Sequence, residues 1–303
     1  PSRQARLKSA PWRERYFQHN DHDRNRSDFE KLQTVHNSGY YRSKVLKILV
    51  TNDDGFLARG LWALAKALSQ VGEVFIVAPD REQSAVGSSV TLHHPLRSKM
   101  VRSPLKEVKS YLVEGTPADC VILALGHLLD TKIDMVFSGI NEGSNLGDDV
   151  LVSGTVGAAF QGYLKGIPSV AISVGALKDV HFDAAARLAA VIAPLIKDLP
   201  GETFLNINLP NLPLDQIEGI EVARLGRRSY CDEIEPGHDG KRDYYWIVRG
   251  KPDWQPEEGT DIWAYTNNRI AITPLYNDLT NLQVLSAIKD LPQTLNRSLF
   301  NQS

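Results

Sequence analysis

Residues Val45, Leu46, Lys47, Ile48, Leu49 and Val50 form a short, largely apolar and β-branched run bounded by polar positions, the pattern of a buried strand. After Gly60, the apolar residues Leu61, Leu64, Ala65 and Leu68 recur at helical spacing, and Gly72 punctuates the end of that helix. Val74, Phe75, Ile76, Val77 and Ala78 then repeat the strand pattern. Strand, helix and strand in such close succession make a βαβ unit, whose strands pair in parallel through a right-handed crossover.

The alternation continues. Thr116 and Pro117 read as an N-cap and first helical residue, opening a helix to about Leu129 that leads into a strand at Met135, Val136 and Phe137. A helix over 155–165, a strand over 168–174 and a long amphipathic helix over 184–197 follow. Past residue 200 the pattern reads as strands without intervening helices, at 203–209, 220–225, 244–248 and 270–273, with one closing helix near 281–291. The expected fold is α/β: a doubly wound, Rossmann-like, mostly parallel sheet over 45–200, then a β-rich C-terminal extension and closing helix over 201–303. Residues 1–44 stand before it as an extension with no assigned role.

Composition narrows the class. At 303 residues and 42% hydrophobic the chain can bury a substantial core, and 34 basic against 36 acidic side chains leave no extreme charge, which excludes a disordered polymer or a collagen. The apolar runs fall far short of the ~20 residues that cross a bilayer, so no membrane partner is expected. Cys120 and Cys231 are too few for a disulfide framework or a thiolate cluster, which suits a cytoplasmic protein. Residues 1–46 hold ten Lys/Arg and five Asp/Glu, but the signs alternate through Arg13, Glu14, Arg15, Asp21, Asp23, Arg24 and Arg26, a pattern of solvated extension rather than of a nucleic-acid arm. That arm also lacks the apolar core of a secretory signal.

Three segments at strand ends carry candidate chemistry. Thr51, Asn52, Asp53, Asp54 and Gly55 follow the first strand, where open α/β sheets place ligands. Adjacent carboxylates repel, and a hard cation resolves the conflict, although Asn, Asp and Gly are also ordinary turn residues. Residues 78–89, with Ser84, Ser88 and Ser89, leave the second strand on the same edge; by themselves they read as a surface loop. Residues 138–149 are followed by Ser153, Gly154 and Thr155 at a helix start, whose amides suit an anion such as phosphate. Neither a Walker loop nor a dinucleotide fingerprint is present. Between Ser138 and Thr155 lie three acids and no Lys or Arg, so a phosphate would be repelled unless a metal reversed the local field. An oxygen-only ligand set selects Mg²⁺, Mn²⁺ or Ca²⁺ over zinc.

These stretches carry a resemblance. T-N-D-D-G at 51–55, A-P-D-R-E-Q-S-A at 78–85, E-G-T-P-A-D-C at 114–120, S-G-I-N-E-G-S-N-L-G-D-D-V at 138–150 and S-G-T-V at 153–156 resemble, in order and across 45–291, the SurE family of survival-protein phosphatases. The resemblance implies a metal-dependent nucleotidase acting on nucleoside 5'-monophosphates, with 3'-monophosphates and polyphosphate as further substrates. It puts one divalent cation per subunit on Asp53, Asp54, Ser84 and Asn141, with Asp53 and Asp54 catalytic. Substrate contacts are implied for Ser88, Asn145, Ser153, Gly154 and Thr155, and assembly as a homodimer or homotetramer for the C-terminal extension. Two positions depart from the family: Ser88 stands where some members have Asn, and Ala85 replaces a Gly, which restricts that loop.

Other residues are set aside. His93 and His94 are adjacent, so in an extended segment they face opposite ways and do not chelate together. Tyr244, Tyr245 and Trp246 fit strand packing or a subunit contact better than base stacking. Two rival functions remain at this point. A haloacid-dehalogenase-like phosphatase would require D-x-D, whereas Asp53 and Asp54 are contiguous; a silent nucleotide-binding module would bind without releasing phosphate.

Overall fold

A computed structural model describes residues 45–197, 199, 203–229, 232–249, 253–254 and 256–300. The arm at 1–44 and Cys231 lie outside the described residues. In chain order the elements up to residue 196 are β1 (Leu46–Thr51), α1 (Arg59–Leu68), β2 (Gly72–Pro79), β3 (Ser98–Val101), β4 (Lys109–Val113), α2 (Pro117–Leu123), β5 (Met135–Glu142), α3 (Gly154–Tyr163), β6 (Ser169–Val174) and α4 (Phe182–Ile196). Then come β7 (Phe204–Leu209), β8 (Gly219–Val222), β9 (Arg228–Ser229), β10 (Asp232–His238), β11 (Asp243–Arg249), β12 (Asp253–Trp254), α5 (Asp261–Thr266), β13 (Arg269–Pro274), α6 (Leu282–Ala287) and α7 (Leu291–Phe300).

Nine of these strands form one sheet in the order β3-β4-β2-β1-β5-β6-β7-β13-β8. The interior pairings from β4 to β7 are parallel, while β3 runs against β4 and β13 against β7. Alternation along β1 sets the layers. Ile48 and Val50 pack with Leu61, Leu64 and Leu68 of α1 and Ala185 and Ala189 of α4, whereas Leu49 faces Phe75, Val77, Cys120 and Val121, with Ala158 of α3. Helices therefore cover both faces, as a doubly wound sheet requires, and each fully buried leucine contributes about 1.5–3 kcal/mol. Thr116 caps α2 as its residue type suggested, accepting from the Asp119 amide with Pro117 in the first turn.

The C-terminal third differs from its sequence pattern in three ways. The sheet runs on past residue 200, because β7 pairs with β6, and β13 and β8 follow it. A short helix, α5, interrupts the run of strands, capped by the Thr260 hydroxyl. Two helices, α6 and α7, stand where one was expected. Outside that sheet β10 and β11 pair as a hairpin, with Ile234, Tyr245, Trp246 and Ile247 exposed, and β9 pairs antiparallel with β12. Among the described residues, no helix is long and apolar enough to cross a membrane.

Topology also locates the crevice. The chain leaves β1 for β2 on one side and comes back to β5 on the other, so the order reverses between β1 and β5. Loops diverge there at the carboxyl ends of the strands, which is where open α/β sheets bind ligands.

Candidate active site

From the end of β1, the buried Asn52 closes a tight turn by donating Nδ2 to the Gly55 carbonyl at 3.0 Å. The next two residues are thereby held at the crevice. Asp53 is nearly inaccessible, and its carboxylate accepts the Thr155 hydroxyl and the Thr155 backbone N–H. Its own carbonyl accepts from the Gln83 amide at 2.8 Å, tying the loop after β2 to the turn after β1. Burial pushes the Asp53 carboxyl up from its ordinary range, and the Thr155 hydrogen bonds oppose that rise.

Asp54 is half-buried, and its Oδ2 accepts from the Glu142 amide at 3.3 Å. Its carboxyl is pushed up to about 7, first by burial and then by the charge of Asp53, with smaller contributions from Glu142 and Glu82. Four acids at the ends of β1, β2 and β5 thus share one field. Glu82 and Glu142 were not singled out by residue pattern, since an isolated Glu in a loop carries no signature.

The other candidates arrive from β2 and β5. Ser84 is exposed and donates to Glu82 Oε1 at 2.7 Å. Its neighbour Ala85 takes a φ of 57°, a left-handed conformation open to Gly and strained for Ala, at the position where the resemblance implies a glycine. Ser88 is exposed, one residue beyond Gly87, whose amide donates to the Val152 carbonyl at 2.9 Å. In β5 the pairing with β6 shifts between Ser138 and Asn141. Gly139 makes this possible: its φ is 135°, and a Cβ would fall 2.3 Å from the Ile172 carbonyl oxygen. Such a shift re-aims the residues that follow it. Asn141 commits Nδ2 to the Gly143 carbonyl at 2.8 Å, which leaves Oδ1 as its atom for a ligand.

Ser153 caps α3, accepting from the Val156 amide at 3.1 Å. Gly154 lies so close to Asp53 that a Cβ would fall 2.8 Å from the Asp53 Cβ. Thr155 turns toward Asp53, so the structure gives it a partner inside the protein, a relation that spacing in sequence does not reveal. Asn145 is buried and heavily tied. Its amide N–H donates to Asn208 Oδ1 at 2.7 Å, its Nδ2 to Ser173 Oγ at 2.8 Å, and its carbonyl accepts from Asn206 and Asn208.

The structure therefore brings Asp53, Asp54, Thr155 and Gly154 into one group, with Glu142 beside Asp54. Among the described residues, no three His, Cys, Asp or Glu side chains form a ready metal cluster. The candidate set has another composition: two carboxylates with a hydroxyl and an amide oxygen. All four are hard donors, and a hard cation would offset both the burial and the Asp53 charge that raise Asp54, so the residue types fit the divalent ion that the motif implies.

Comparison with known proteins shows the family. Residues 48–232 match the family model described as Survival protein SurE. The 5'-nucleotidase SurE of Dehalococcoides mccartyi (strain CBDB1) is 48% identical over 249 residues, covering 81% of this chain and 94% of that protein. The 5'-nucleotidase SurE of Geotalea uraniireducens (strain Rf4) is 45% identical over 251 residues, covering 80% of this chain and 98% of its relative. The crystal structure of the SurE protein from Aquifex aeolicus superposes with a TM-score of 0.69 at 41% identity, covering 81% of this chain and 99% of that one.

Proposed function

The chain belongs to the SurE family, and from that membership we propose that it is a nucleotide phosphatase, a 5'-nucleotidase that hydrolyses nucleoside 5'-monophosphates to nucleoside and inorganic phosphate. The observation that carries the reading is the meeting of Asp53 and Asp54 with the first turn of α3 at the switch point of the sheet. A carboxylate pair beside an anion-seeking helix end suits a cation and a phosphate together.

The residues we assign to the ion are Asp53, Asp54, Ser84 and Asn141, holding one Mg²⁺ or Mn²⁺ per subunit, with Ca²⁺ another ion this oxygen set accepts. A divalent cation bound there neutralises phosphoryl charge and acidifies water. The chain's own groups do the rest. Thr155 fixes the Asp53 rotamer through its hydroxyl. Asp54, the more accessible of the pair, is the carboxylate that water reaches, and we assign to it the proton of the attacking water. Of the first-turn amides of α3, those of Thr155 and Val156 are taken by Asp53 and Ser153, so the Gly154 N–H and the Ser153 hydroxyl are assigned to phosphate. Ser88 and Asn145 complete the proposed substrate contacts.

Assembly as a homodimer or homotetramer is assigned to the C-terminal segment. Support comes from the β10–β11 hairpin, since an isolated two-stranded hairpin is marginal in water and this one exposes Ile234, Trp246 and Ile247. Two cysteines in 303 residues suit a cytoplasmic enzyme.

The test is phosphate release from AMP. Wild-type protein with Mn²⁺ or Mg²⁺ should release phosphate, a chelator should stop it, and Asp54→Asn should lose turnover while keeping its circular dichroism spectrum. Normal release by Asp54→Asn overturns the assignment.

A further inference from the structure

Asp261, the first residue of α5, is fully buried, and backbone amides from three places converge on its carboxylate. Oδ2 accepts from the Gly147 N–H at 2.8 Å; Oδ1 accepts from Gly226 at 2.7 Å and from its neighbour Ile262 at 2.8 Å. The approach is close, since a Cβ on Gly147 would fall 2.6 Å from the Gly226 carbonyl oxygen. Gly147 opens the short 3-10 turn Gly147–Leu151. Within it the Asp149 carbonyl accepts from Val152 at 3.1 Å and from Ser153 at 3.0 Å, and the Val152 carbonyl receives the Gly87 amide at 2.9 Å. One short segment, 147–153, therefore supports both the start of α3 and the loop that carries Ser84 and Ser88.

We propose that Asp261 is a positioning residue for phosphate binding, a carboxylate from the C-terminal third that sets the seat of segment 147–153 and through it Ser153 and Gly154. A carboxylate is suited to the task because it offers acceptors only, and three N–H donors meet it. The anchor is distinct from that of Asn145, which β7 holds through Asn206 and Asn208. Two different elements thus fix residues 145 and 147, and the second ties α5, in the C-terminal third, to the crevice. This inference rests on the phosphatase reading above.

Asp261→Asn separates the bonds. Its amide oxygen can keep Gly226 and Ile262, while its NH₂ then faces the Gly147 N–H, donor against donor, and frees that segment. The expected result is a KM for AMP raised about tenfold, with inhibition by inorganic phosphate weakened by a similar factor and kcat within about threefold, the signature of lost substrate seating. Amide exchange should rise in the peptide spanning 143–153. Should Asp261→Asn fail to fold, Asp261→Glu takes its place, since it keeps the charge but moves the acceptors by one methylene, and must show the same selective loss. A variant with lowered melting temperature but wild-type KM and phosphate inhibition overturns the proposal. Loss of the phosphatase reading shows itself separately, as wild-type protein that releases no phosphate.

Discussion

The hydroxyl of Thr155, on the first turn of α3, donates to the carboxylate of Asp53, which lies across the crevice at the end of β1. On the assignment proposed above, the bond joins the helix start given to the phosphate with the strand end given to the cation. Thr155→Val keeps the shape and removes the donor. It should lower kcat/KM for AMP about 10–100-fold and lower stability by about 1–3 kcal/mol, as a buried acceptor loses its partner. Thr155→Ser should restore most of the loss, and steady-state kinetics with urea unfolding check both.

Gly154→Ala tests the contact from the other side. On helix propensity alone Ala should stabilise α3 by about 1 kcal/mol. Here its methyl would sit 2.8 Å from the Asp53 Cβ and 2.9 Å from its Oδ2, so the expected outcome is reduced stability and reduced turnover. A gain in melting temperature with full activity would show that Asp53 is not held where it is described.

Asp54 makes stability depend on pH. Its folded-state carboxyl sits at about 7 against 3.8 for an ordinary aspartate, so between those values the folded protein holds a proton that the unfolded chain releases. Stability from this group therefore falls as pH rises from about 4 to about 7. In chelator-treated protein the decline in unfolding free energy over that window should be shallower for Asp54→Asn than for wild type. Adding Mn²⁺ at pH 7.5 should raise the wild-type melting temperature, because the cation takes up the charge that burial and Asp53 oppose.

The hairpin yields a test of assembly. Ile234 and Ile247 are cross-strand partners and both are exposed. Replacing both with Ser should leave the melting of the sheet unchanged and shift light scattering toward a smaller species. An unchanged mass would move the assembly surface elsewhere.

Legibility in sequence followed burial. The β1–α1–β2 unit was plain because its strands are apolar on both faces and α1 carries an amphipathic stripe, so local pattern and final environment agree. β3 and β4 gave no signal: they are short, and polar residues such as Ser98, Lys99, Lys109 and Ser110 break their runs, as suits strands near a sheet edge. β10 was hidden by Glu233, Glu235, Pro236 and Gly237, residues tolerated only because the hairpin sits outside the main sheet. That β7 continues the sheet depends on its pairing with β6, a non-local contact with no trace in periodicity. At the site, the motif spacing points to Asp53, Asp54 and the start of α3, which the structure brings together. The turn of Thr155 toward Asp53 and the reach of Asp261 to Gly147 are products of topology, joining residues about 100 positions apart.

The most direct measurement is anomalous diffraction from crystals soaked in Mn²⁺. The account predicts a single peak per subunit, within coordination distance of oxygens from Asp53, Asp54, Ser84 and Asn141. A peak seated on other side chains, or none at saturating manganese, would contradict it.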